Sequence, residues 1–137
     1  MTRPIRVLLV EDNPGDAELT RETLEAGQLL VDITVVSDGA AAVDYLLRRG
    51  PHLPELVILD LNLPKLDGRQ VLAEMKRHAE LRMIPVVVLT SSDAEKDIVE
   101  SYTVGASCYV TKPVDLTAFQ SIVRSIEGFW FSVVKLP

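Results

Sequence analysis

Five short apolar runs, separated by segments of helical period, restrict this chain to a small set of architectures. The runs are Ile5–Val10, Val31–Val36, Leu56–Leu59, Pro85–Leu89 and Cys108–Val110. Most are apolar at odd and even positions alike, as parallel strands are when helices cover both faces of their sheet. Between the first two runs, Asn13-Pro14 reads as an N-cap and a first-turn proline, opening a helix towards Ala26. "AAAVDYLLRRG" places Ala42, Val43, Leu46 and Leu47 on one stripe, with Gly50 available to end it. "GRQVLAEMKRH" repeats the pattern with Val71, Leu72 and Met75, after an Asp67-Gly68 turn that starts the helix. "DAEKDIVESYTVGA" does so with Ile98, Val99 and Tyr102, and Gly105 supplies the stop. A last helix begins at Asp115 and carries Leu116, Phe119, Ile122, Val123 and Ile126. Strict strand–helix alternation with short connections predicts a doubly wound α/β fold, (βα)5. Its five parallel strands are expected in the flavodoxin-like order 2-1-3-4-5.

The 137 residues suffice for one domain with a real core. A net charge of -6 argues against a nucleic-acid or anionic-membrane surface. The one cysteine, Cys108, lies in a strand-like run, can form no internal disulfide, and suits a reducing compartment. "IRVLLV" is far too short to be a signal peptide or a membrane span. The expectation is a cytoplasmic domain.

Chemistry gathers at the ends of the strand runs. In open α/β sheets ligands bind beyond the carboxyl ends of the strands, near the point where strand order reverses. The first run ends in Glu11-Asp12 and the third, "LVILD", in Asp60; the fourth leads to Thr90-Ser91 and the fifth to Lys112-Pro113. If strands one and three are neighbours, three carboxylates converge, an arrangement that repels itself unless a cation is present. Oxygen ligands with room for water suit a hard divalent ion, Mg²⁺ first. Asp12 and Asp60 are the expected direct ligands, the Asn62 backbone carbonyl a third, and Glu11 a ligand through water. A carboxylate beside Mg²⁺, a hydroxyl and a lysine can accept a phosphoryl group. Asp60 would attack phosphorus, while Lys112 and Thr90 would each hold a phosphoryl oxygen.

"VLLVEDNPGD", "LVILDLNLPKLDG", "VVVLTSS" and "YVTKP" together resemble the signatures of the response-regulator receiver domain of two-component signalling. The resemblance runs from about Ile5 to Gly128. No single motif settles it, but four in order, each at a strand end, are specific. The resemblance implies that Asp60 is the phospho-acceptor and that Glu11 and Asp12 are the acidic pair holding Mg²⁺. Two aspartates are the commoner form of that pair, and the longer Glu11 stem agrees with a role through water. Thr90 matches the switch hydroxyl, Lys112 the lysine on the phosphoryl group, and Lys112-Pro113 the cis peptide. Tyr109 matches the aromatic whose rotamer follows Thr90 inward. The implied mechanism is a two-state switch, in which phosphorylation of Asp60 alters the surface around the last strand and the last two helices. Such a domain is not an enzyme in the usual sense, since it catalyses only its own phosphotransfer and autodephosphorylation.

Each residue also has a plainer reading. Asp12, Asn13, Thr90 and Ser91 could be helix caps, Asp60 a carboxylate bonded to backbone amides, Lys112 a solvated charge and Tyr109 part of the core. Their convergence favours the functional reading over any of these. A dehalogenase-type phosphatase needs a second carboxylate two residues past the first, where this chain has Asn62. A flavodoxin-like module needs a hydroxyl- and glycine-rich first loop, where this chain has two acids. His52 and His78 lie in a loop-like and a helix-end position, and neither looks like a phosphorelay histidine.

Residues 1–128 read as the receiver body and 129–137 as an apolar extension. Three of the seven aromatics, Phe129, Trp130 and Phe131, are consecutive, with Val133, Val134 and Leu136 close behind. Such a run suits an interface, and the expectation is a homodimer in which tails pack on the partner copy; the alternative is a tail folded back on its own domain. "EGFWFSVVKLP" is too short for a DNA-binding or catalytic output domain, so output is expected through a downstream protein. The aromatic tail and the long "DGAAAVDYLLRRG" segment resemble single-domain regulators paired with bacterial and cyanobacterial phytochromes. That resemblance implies a light-regulated histidine kinase as phosphoryl donor.

Overall fold

The computed structural model describes residues 4–26, 30–48, 50–61, 63, 65–90, 108–111 and 117, with residues 51, 90, 108, 109 and 111 described by their backbone. Five strands, β1 (Ile5–Val10), β2 (Val31–Val36), β3 (Leu56–Asp60), β4 (Val86–Thr90) and β5 (Cys108–Thr111), form one sheet in the order β2-β1-β3-β4-β5. Every pairing is parallel. The expected fold class is therefore the one found. Helices α1 (Pro14–Glu25), α2 (Gly39–Arg48) and α3 (Gly68–Lys76) fill the first three connections. The helices expected near 93–105 and 115–128 lie outside the described residues.

The strand period of two sorts the core onto two faces. Val7 and Leu9 of β1, Leu56 and Ile58 of β3, and Val87 and Leu89 of β4 pack with Ala17 and Leu24 of α1. Leu8, Val10, Val57, Leu59, Val86 and Val88 point the other way, onto Ala42 and Leu46 of α2 and Val71, Leu72 and Met75 of α3. Both faces are dry, which is why these strands read as unbroken apolar runs. β2 is an edge strand: of its residues only Ile33 is buried, and Asp32 and Val35 face outward.

Local chemistry at the helix starts follows the sequence. The Asn13 side chain accepts from the Asp16 amide at 2.9 Å, with Pro14 next in line. Asp67 and Gln70 form a reciprocal capping box on α3. Two details differ from expectation. Leu47 is 48% exposed, because α2 sits on the sheet through Ala42 and Leu46 and Leu47 lies about 100° further round. The helix over "GRQVLAEMKRH" stops at Lys76, since His78 is extended and stands just before a separate turn, Ala79–Arg82, that buries Leu81. No helix among the described residues is long and apolar enough to cross a membrane.

Candidate metal and phosphoryl-acceptor site

β1 lies between β2 and β3, so the chain leaves it to one side and then to the other, and the crevice at its carboxyl end is the switch point of the sheet. Three carboxylates meet there. In the β1–β3 register Val10 stands opposite Leu59, which sets Glu11 beside Asp60. The same parity that sends Leu9 and Ile58 towards α1 assigns Glu11 and Asp60 to that face. Backbone bonds hold both positions in the sheet: the Glu11 amide donates to the Val36 carbonyl at 3.0 Å, and the Leu61 amide to the Leu89 carbonyl at 3.2 Å. Glu11 and Asp60 are buried, at 2% and 4% exposure, while Asp12 is exposed.

Ligand oxygens of Glu11, Asp12 and Asp60 all lie within 4.8 Å of one another. Two like charges at that distance repel by roughly 3 kcal/mol at an effective dielectric near 20, so the group is electrostatically costly by itself. An all-oxygen set of this kind, open to water on the Asp12 side, fits a hard divalent cation. Glu11 also anchors the loop, its Oε2 accepting at 3.1 Å from the amide of Asn13, the residue just before α1. The positive end of α1 thus adjoins the acidic group.

The other expected site residues divide by what the structure describes. Thr90 ends β4, in register with Thr111, on the strand adjoining that of Asp60. Tyr109 lies on β5 opposite Val88. The Thr90 and Tyr109 side chains, and the whole of Asn62, Lys112, Pro113, Phe129, Trp130, Phe131 and Val133, lie outside the described residues.

A neighbouring feature was not anticipated from sequence. Asp38 caps α2, its Oδ1 accepting from the Ala41 amide at 2.7 Å, and its Oδ2 lies 3.6 Å from Lys65 Nζ, in the connection that follows Asp60. The Ala41 hydrogen bond holds the Asp38 carboxyl below the ordinary range; desolvation opposes this, and the Lys65 ammonium lowers it further. A carboxyl lowered on folding stabilises the fold fully above its unfolded value of 3.8, and this contribution is lost as pH falls through the lower folded value. Asp38→Asn keeps a capping oxygen but loses that charge. Its urea midpoint should fall below the wild-type midpoint at neutral pH and converge with it at the acid end. A gap independent of pH would contradict the assignment.

The response-regulator receiver domain model matches residues 7–124. Response regulator Rcp1 of Synechocystis sp. is 43% identical over 98% of this chain and 94% of its own length. The crystal structure of the Mn²⁺-bound form of Rcp1 superposes with a TM-score of 0.75 over 98% of this chain and 99% of that one. The phosphorylated cyanobacterial phytochrome response regulator RcpA is 43% identical, with a TM-score of 0.77 over 95% of this chain and 96% of that one. The bacteriophytochrome response regulator AtBRR is 44% identical, with a TM-score of 0.80 over 94% of this chain and 96% of that one.

Proposed function

The chain belongs to the response-regulator receiver family, and from that premise we propose that it takes a phosphoryl group from a histidine kinase onto Asp60. The observation that carries the reading is the meeting of Asp60 with Glu11 and Asp12 at the switch point of the sheet. One Asp60 carboxylate oxygen bonds phosphorus as the P–N bond of the donor phosphohistidine breaks, and the imidazole leaves with the electron pair and takes up a proton. Asp12, Asp60 and the Asn62 carbonyl would hold Mg²⁺ directly and Glu11 through water, and the ion would supply charge that neutralises the phosphoryl oxygens. Lys112 and Thr90 hold phosphoryl oxygens, and Thr90 with Tyr109 carries the change to the surface. The exposure of Asp12 and the bond that the Asn13 amide donates to Glu11 support this division between direct and water-bridged ligands.

The test is mass spectrometry after incubation with Mg²⁺ and a small acyl phosphate. One added phosphoryl group supports the reading, and none overturns it. Asp12→Asn should weaken Mg²⁺ binding by about tenfold or more, since ligand charge sets affinity in such sites. Titration calorimetry giving wild-type affinity would remove Asp12 from the ligand set.

The donor in this reading is a phytochrome-type kinase, which the likeness to RcpA and AtBRR supports. Output passes to a downstream protein from the cytoplasm. Residues 129–137 act as a dimerisation arm, which the run of Phe129, Trp130, Phe131 and Val133 supports. Truncation after Glu127 should halve the mass seen by solution scattering; an unchanged mass would sink the arm.

A further inference from the structure

The connection from Asp60 to α3 is tied down at both ends. Where it ends, the Gly68 amide donates to the Leu61 carbonyl at 2.9 Å, and a Cβ on Gly68 would stand 2.6 Å from the Asp60 carbonyl oxygen. At its start Leu61 and Leu63 are buried in the core shared with α2 and α3. Between these ends Lys65 turns the chain with φ 65°, a left-handed conformation that costs a non-glycine residue about 1 kcal/mol. The turn presses the Leu66 carbonyl so close to Gly39 that a Cβ there would overlap it. The same turn brings the Lys65 ammonium to Asp38, which simultaneously caps α2.

We propose that the Asp38–Gly39 corner is a positioning element for the phosphoryl-acceptor site, clamping the connection that follows Asp60 against the start of α2. Asp38 and Lys65 are positioning residues: neither touches the carboxylate group, and both act through the backbone that Asp60 leads into. The inference rests on the proposed role of Asp60 as ligand and acceptor. Its physical content is that a loose connection lets Asp60 sample orientations in which its oxygens no longer converge with those of Asp12, so the cation binds less tightly.

Charge effects alone predict opposite signs for the two partners. Removing the Asp38 charge should weaken cation binding and removing the Lys65 charge should tighten it, because one is negative and the other positive. Clamping predicts that Asp38→Asn and Lys65→Met both weaken it, by about threefold to fivefold for an ion pair this exposed. Gly39→Ala, which changes no charge, should weaken it as well.

The experiment is Mn²⁺ titration calorimetry on the full chain, with circular dichroism to show that each variant is folded. Equal weakening in Asp38→Asn and Lys65→Met, no further loss in the double variant, and recovery in Lys65→Arg are the expected results. Tighter or unchanged Mn²⁺ binding in Lys65→Met would overturn the clamp even if Gly39→Ala fails to fold. A wild-type chain that binds Mn²⁺ and takes up a phosphoryl group, beside variants that do both equally well, defeats the clamp and leaves the acceptor reading standing. A wild-type chain that does neither takes both down.

Discussion

Asp60→Asn, incubated with Mg²⁺ and an acyl phosphate, should gain no mass where the wild-type chain gains one phosphoryl group. An amide oxygen is a poor nucleophile, and among the described residues Glu11 and Asp60 are the buried carboxylates, of which Asp60 closes β3. The same variant should be more stable than wild type without metal. Three carboxylates with oxygens within 4.8 Å repel one another, and removing one charge relieves two of the three repulsions. Solvent around exposed Asp12 screens part of this, so a gain of about 1 kcal/mol is expected. With metal the ranking should invert: a ligand at 100 times its dissociation constant stabilises the wild type by about 2.7 kcal/mol, which the variant forgoes. Phosphoryl uptake by Asp60→Asn would remove Asp60 as acceptor. Thermal unfolding unaffected by Mg²⁺ in both proteins would remove the metal site.

Gly39→Ala and Gly68→Ala should lower stability more than their size suggests. Added at Gly39, a Cβ overlaps the Leu66 carbonyl; added at Gly68, it stands 2.6 Å from the Asp60 oxygen and 2.7 Å from the Leu61 Cα. All the opposing atoms named are backbone, so no rotamer change can relieve either clash, and the connection itself must move. Overpacking of this kind costs about 1–3 kcal/mol, or roughly 3–10 °C in melting temperature for a domain of this size. Gly68→Ala should in addition slow phosphorylation, because the peptide it displaces is that of Asp60. Scanning calorimetry checks the first effect and the time course of labelling the second. A Gly68→Ala variant as stable and as quickly labelled as wild type would show that the connection yields freely.

The two effects sit at different depths of what a sequence reveals. Asp60 was legible because β3 is apolar on both faces and then stops at a charge, and because Glu11-Asp12 ends β1 in the same manner. The Asn13 cap and the start of α3 at Asp67-Gly68 were legible because capping is chemistry between residues three apart. The end of α3 was not. No glycine or proline marks Lys76, and the helix breaks there so that Leu81 can be buried in the same core. Leu47 was misplaced for a related reason: its stripe is wide enough for two orientations, and the sheet chose the one centred on Ala42 and Leu46.

The order of the elements, the parallel sheet and the identity of the three carboxylates were determined by the sequence alone, since periodicity and strand-end charges are local patterns. Tertiary structure decided which of two adjacent acids is buried, setting Glu11 at 2% exposure and leaving Asp12 open, because strand parity and the Glu11 bond to Val36 act only once the sheet exists. It alone brought Asp38 to Lys65 and Gly39 to Leu66. Those pairs lie 27 residues apart with no local signature, and they meet only because β2 and β3 flank the same strand and deliver their following loops to one edge of the sheet.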